Sequence, residues 1–138
     1  MPIPDTESNK ALVRAFFALM NSGDPVKMAR AVDLLADDAT YWIPGDWPNA
    51  GTFDKAALAK MVEVATDIFS GPLEIDIHGV TAEGERVAVE MESHGTFKDG
   101  RPYNNTYHWL FVVRDGRIRN IKEYTDTAYA NRAYYGPF

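Results

Sequence analysis

Apolar residues recur every three or four positions up to about residue 69, and then every second position from about residue 73. The first period belongs to helices with one buried stripe, the second to strands with one buried face. Leu12, Ala15, Phe16, Leu19 and Met20 share a stripe that predicts a helix over 6–20, stopped by Asn21-Ser22-Gly23. Asp24-Pro25 offers a cap and a first-turn proline for a second helix. Its stripe is Met28, Val32 and Leu35, fading at Asp37-Asp38. Residues 39–43 read as a short strand stopped by Pro44-Gly45, and 46–51 as an irregular loop carrying Trp47. Asp54 caps a third helix with the stripe Leu58, Met61, Val62, Ala65, Ile68 and Phe69. Helices first and strands afterwards predict the α+β class. No linker or change of composition divides the chain, so one domain over 1–138 is expected.

The second half carries a repeated punctuation. Ala82-Glu83-Gly84, Lys98-Asp99-Gly100 and Arg114-Asp115-Gly116 place their glycines 16 residues apart. Each fits a three-residue hairpin loop closed by a left-handed glycine. Four strands at about 73–81, 85–97, 101–113 and 117–125 then form an antiparallel meander. With three-residue turns, odd-numbered residues share one face across the sheet. That face holds Leu73, Ile75, Ile77, Val87, Val89, Met91, Tyr107, Trp109, Phe111, Val113 and Ile121, and should meet the helices. The even face holds Glu74, Asp76, Glu90, Glu92, His94, His108 and Lys122, and should meet water or a partner subunit. Gly79 can bulge the first of these strands, which leaves the facing of His78 open.

One carboxylate breaks the apolar face. The turn geometry sets Met91, Tyr107 and Glu123 in one row, Ser93, Asn105 and Thr125 in the next, and Val89, Trp109 and Ile121 on the other side. An ionised carboxylate there must be hydrogen-bonded, hydrated or partly neutral. A raised pKa suits a general acid or base, so Glu123 is the candidate proton carrier. Tyr107 and Asn105 are the candidate donors to a developing enolate or alkoxide, and Ser93 orients the ligand. A structural Glu123 bonded to Tyr107 or Asn105 is the alternative. On the even face, Glu90, His108 and His94 form a carboxylate–histidine group, read as a solvated or subunit-facing surface in preference to a metal site. Asp126-Thr127 reads as the cap of a short tail helix.

Composition narrows the class. The chain has 138 residues, 46% hydrophobic and 25% charged, with no cysteine, which excludes disulfides, thiolate nucleophiles and cysteine-held zinc. Fourteen basic against 20 acidic residues, net −6, with no basic stripe, argue against nucleic acid. No apolar run reaches the ~20 residues that span a bilayer. The opening Met1-Pro2-Ile3-Pro4-Asp5 lacks a basic start and an apolar core, so a cytoplasmic protein without a secretory leader is expected. No nucleophile elbow, phosphate loop or HExxH motif is present.

Several motifs in order resemble the SnoaL-like branch of the nuclear transport factor two-like superfamily. They are Asn21-Ser22-Gly23-Asp24, Leu35-Ala36-Asp37-Asp38-Ala39, Trp42-Ile43-Pro44-Gly45, Ala50-Gly51-Thr52, Gly100-Arg101-Pro102-Tyr103-Asn104-Asn105, Arg114-Asp115-Gly116-Arg117-Ile118 and Glu123-Tyr124-Thr125-Asp126-Thr127. The resemblance implies a cone-shaped α+β fold, a curved antiparallel sheet wrapped around the N-terminal helices. It implies a pocket between the inner sheet face and the first and third helices, for a small, mostly apolar molecule, a cyclic one included. The pocket residues would be Phe16, Met20, Trp42, Trp47, Met61, Met91, Ser93, Trp109, Ile121 and Thr125. An isomerase, lyase or cyclase using neither metal nor organic cofactor is implied, as is a homodimer through the outer sheet face.

The fold hosts many chemistries, so the residues decide. Ketosteroid isomerases of this superfamily use a Tyr and two Asp where this chain has Phe16, Ile43 and Trp109. Steroid isomerisation by that route is therefore not expected. The Asp–Arg–Asp triad of limonene epoxide hydrolases keeps only its last carboxylate, at Glu123; the others fall on Met91 and Ser93, or on Glu90 and Glu92. Three alternatives follow: a non-catalytic small-molecule binding module, an epoxide hydrolase-like enzyme with a degenerate triad, or an assembly role with a filled pocket.

Overall fold

In the computed structural model, residues 3–136 are described; Met1 and Pro2, which enter the reading of the N-terminus, lie outside the described residues. Helix α1 spans Thr6–Met20; its cap, Asp5, accepts from Glu7 N and Ser8 N. Its apolar stripe buries Val13, Phe16 and Phe17. Gly23 then turns the chain at φ 74°, open to glycine at little cost. Helix α2, Pro25–Asp33, is capped by Asp24 and buries Met28, Ala31 and Val32.

Helix α2 ends earlier than its stripe predicts. Leu35 begins strand β1, Leu35–Ile43, instead of closing the helix. Non-local pairing decides this: Leu35 lies opposite Ile118, and Ile118 N donates to Leu34 O at 3.0 Å. Strand β2, Gly51–Asp54, pairs with β1 and is too short to show a period. Asp54 then caps α3, Lys55–Ile68, by accepting from Ala57 N at 2.8 Å.

The meander is β3 Glu74–Glu83, β4 Arg86–Thr96, β5 Pro102–Arg114 and β6 Arg117–Thr125, followed by helix α4 Thr127–Tyr135. The sheet order is β2-β1-β6-β5-β4-β3. It is mixed, not wholly antiparallel, because β1 runs parallel to β6. The middle hairpin has the expected three-residue loop, with Gly100 at φ 93° and Met91 opposite Tyr107.

The outer two hairpins have two-residue loops. Gly84-Glu85 connects Glu83 to its partner Arg86, with Gly84 at φ 59°. Asp115-Gly116, both at positive φ (53° and 72°), connects Arg114 to Arg117, the signature of a type I′ turn. Each shorter loop would turn the following residues to the wrong face. A bulge in each hairpin restores the alternation: register shifts between Ile77 and Gly79 in β3, and between the pairs Val113–Ile118 and Val112–Asn120 in β5–β6. Ile118 and Ile121 are therefore both fully buried, although one is even and the other odd. The correction is one of row. Glu123 lies opposite Trp109, and Thr125 lies opposite Tyr107.

The inner face closes over a core of Val13, Phe16, Phe17, Leu35, Tyr41, Val87, Val89, Met91, Phe111, Val113, Ile118 and Ile121. A second cluster, Phe69, Phe97, Tyr103 and Ala133, seats α4 against β5 and the end of α3.

Candidate functional site

Glu123 points to the inner face, as strand parity requires, and is partly buried. Tyr41 of β1 donates a hydrogen bond to its Oε1. No donor reaches Oε2 among the described residues. Tyr41 is itself buried, and its phenol is pushed well above its ordinary pKa by burial and by the neighbouring Glu123 charge. It therefore remains a neutral donor. Burial raises the Glu123 carboxyl to about 7, with the Tyr41 bond pulling the other way. Tyr103, Tyr107 and Tyr134 feel the same carboxylate and are also raised, mainly by burial. The acid thus sits among neutral phenols.

The inner face around it is uneven in depth. Val87, Val89, Phe111 and Ile121 are fully buried. Trp47, Met61, Tyr107, Trp109, Glu123 and Tyr134 each keep part of their surface. The concavity is therefore shut at the end bearing the two tight hairpins and looser toward α3 and α4. A groove of about 540 Å³ lies between α1 and the edge strand β3, lined by Arg14, Phe17, Asn21 and Ile75 among others. Glu123 does not line it. Phe17, one of its walls, packs on Trp109 with ring centroids 5.3 Å apart.

The other candidates divide by their bonds. Tyr107 Oη and Ser93 Oγ lie 3.0 Å apart. Ser93, fully buried, also accepts from Asn105 N at 3.2 Å. Asn105 spends both amide hydrogens, on Tyr103 Oη and Asp126 O, each at 3.2 Å. It ties β5 to the start of α4. Thr125 Oγ1 is committed to Thr106 O at 2.9 Å. Met91, Phe16 and Ile121 are closed into the core, while Met20 and Met61 pack at its margin. Trp47 donates to Pro44 O at 2.9 Å and rests against Tyr134. Trp42 is not brought to Glu123. It lies on the outer face, edge-on to Tyr124, with Lys122 above its ring.

Trp109 is the unsatisfied member. Its indole Nε1 is buried without a hydrogen-bond partner. Phe17, Tyr41, Tyr107 and Phe111 surround its rings at centroid distances of 5.3 to 6.3 Å. A buried donor left unpaired costs roughly 1–3 kcal/mol.

Tyr41 and Tyr134 escaped sequence reasoning. Tyr41 shares the odd, inward parity of Ala39 and Ile43 in β1, but its reach to Glu123 depends on the parallel β1–β6 pairing, which has no local signal. On the outer face, Glu90 pairs with His108, and His94 Nε2 lies 3.2 Å from Asp76 Oδ2. Among the described residues no three His, Asp or Glu side chains converge to hold a metal ion. Asp126 accepts from Tyr129 N at 3.0 Å and so caps α4.

The four helices and the curved, unclosed six-stranded mixed sheet of the described residues, with this inward acid, are the cone-shaped α+β architecture of NTF2-like proteins. The chain belongs to the SnoaL-like domain family, whose model matches residues 13–121. It is similar to an NTF2-like protein of Burkholderia xenovorans LB400, at 33% identity and TM-score 0.74, covering 94% of this chain and 97% of that one. It is also similar to a candidate polyketide cyclase of Xanthomonas campestris pv. campestris, at 25% identity and TM-score 0.76, covering 91% and 96%. A candidate isomerase of Bacillus subtilis, at 23% identity, TM-score 0.80 and 96% coverage of both chains, shares the fold. No curated protein matches the chain. Among the described residues, no helix is long and apolar enough to cross a membrane.

Proposed function

We propose that the protein takes a small, mostly apolar, cyclic molecule against its inner sheet face and moves a proton on it with Glu123, as an isomerase, lyase or cyclase. One observation carries this reading: a single acid on an apolar wall, held by one phenol through Oε1, with a pKa of about 7. At neutral pH both of its forms are populated, as a group that takes and returns a proton requires. The likeness to a candidate polyketide cyclase supports a small molecule as the substrate class. In this mechanism Oε2 takes the proton, Tyr41 steadies the carboxylate through Oε1, and Tyr107 with Ser93 forms the polar edge of the site.

The test needs no known substrate. A panel of cyclic ketones is incubated with the protein in heavy water, and exchange of the C–H beside the carbonyl is followed by proton NMR. The native chain should catalyse exchange on at least one member. Glu123→Gln should abolish it while leaving the circular dichroism spectrum unchanged; exchange surviving in that variant refutes the mechanism.

A binding module without turnover is the second reading. Glu90 and Glu92 stand on the outer face, so neither can divide the acid and base roles with Glu123. The same outward turn gives no support to an epoxide hydrolase-like triad. Compounds that bind without exchange would favour the module. We also propose a homodimer through the outer face, supported by the exposed Tyr124 ring beside Trp42.

A further inference from the structure

The orphaned indole of Trp109 says what the ligand must bring. Several other polar groups near Glu123 are already engaged. Tyr41 donates to the acid, Ser93 and Tyr107 share a bond, and Asn105 has spent both amide hydrogens. Among the described residues, Trp109 Nε1 is the one buried side-chain nitrogen or oxygen without a hydrogen-bond partner. Its strand position is directly opposite Glu123, so the two side chains stand side by side on the inner face. Both residues keep part of their surface.

We propose that the Trp109 N–H is the group that binds the ligand's oxygen, and that this oxygen is a carbonyl seated beside Glu123. An indole N–H can only donate, so its partner must accept. A hydroxyl could accept, but it brings a hydrogen of its own that needs a further acceptor. Beside Glu123 that acceptor is Oε2, the atom that must stay free to take the substrate's proton. A carbonyl accepts and adds no unsatisfied donor. Trp109 thereby takes the recognition role that Asn105 cannot fill with its hydrogens engaged elsewhere. The inference rests on the reading of Glu123 as the proton carrier, and it narrows the substrate to ketone-type molecules whose carbonyl lies next to an exchangeable C–H.

The experiment uses the full chain labelled with ¹⁵N and two probes of the same carbon skeleton, 1-tetralone and tetralin. The Trp109 indole cross-peak is assigned by its loss in Trp109→Phe, or by elimination with Trp42→Phe and Trp47→Phe. With 1-tetralone that peak should move downfield and its hydrogen exchange should slow; with tetralin it should do neither. Trp109→Phe keeps an aromatic ring and should weaken 1-tetralone binding about tenfold more than it weakens tetralin binding. A peak unmoved by 1-tetralone up to its solubility overturns the proposal. So does an equal response to tetralin, or equal affinity of the variant for the ketone. The Glu123 carboxyl ¹³C titration in the same sample separates the two ideas. A midpoint near 7 with an unmoved indole leaves the acid–base reading intact, whereas a midpoint near the ordinary 4.5 removes that reading itself.

Discussion

Replacing Glu123 by Gln should change how stability depends on pH. The native carboxyl binds its proton more tightly than the unfolded chain does, with a pKa raised from 4.5 to about 7. The contribution is therefore fully present below pH 4.5 and lost as pH rises through 7. A shift of that size corresponds to about 3 kcal/mol. An amide has the same shape and does not titrate, so Glu123→Gln lacks this loss. Each chain's stability at pH 4 is subtracted from its value at pH 8; groups common to both chains then cancel. The variant should come out ahead by about 3 kcal/mol in that difference. For a chain of 138 residues the unfolding entropy near Tm is about 0.3 kcal/mol/K, so the effect is roughly 10 °C in Tm. Thermal unfolding followed by circular dichroism at the two pH values reads it directly. Equal pH dependence in the two chains, within about 2 °C, would show that Glu123 is solvated like a surface acid, and the reasoning would fail.

Tyr41→Phe removes the bond that favours the carboxylate, so the Glu123 midpoint should rise further above 7, read by carboxyl ¹³C NMR; an unmoved or lowered midpoint contradicts the assigned cause. Gly116→Ala places a side chain at φ 72° and should cost about 1 kcal/mol in urea unfolding, whereas Gly79→Ala, with no atom within 4 Å of the added carbon and no positive φ, should cost less. Phe111→Ala empties the fully buried centre of the inner face and should cost about 3–5 kcal/mol, detected as a lower urea midpoint. Tyr124→Glu should convert a dimer into a monomer by light scattering if the outer face joins two copies; an unchanged mass would place the contact elsewhere or show none.

The local features were legible because local chemistry makes them. Thr6–Met20 follows from its stripe and the stop at Asn21-Ser22-Gly23, and each later helix follows from its Asp cap. The middle hairpin follows from Lys98-Asp99-Gly100. The outer hairpins show the limit. Asp115-Gly116 supports a two-residue loop as readily as Arg114-Asp115-Gly116 supports a three-residue one, and a bulge has no pattern of its own. Glu123 was still placed on the correct face, but one row away from its partner. Tyr41 was invisible for a different reason. Its neighbour comes from the far end of the chain, through a parallel pairing that only the assembled sheet defines.

That pairing links acidity to the completeness of the fold. Tyr41 and Glu123 are 82 positions apart. Contacts of such long range carry a large loop-closure entropy and form slowly. A species with only the β3–β6 meander formed would leave Glu123 with ordinary carboxylic acidity, since neither Tyr41 nor the helices would cover it. Its titration midpoint is therefore a gauge of whether the first and last strands have joined, readable even before any ligand is known.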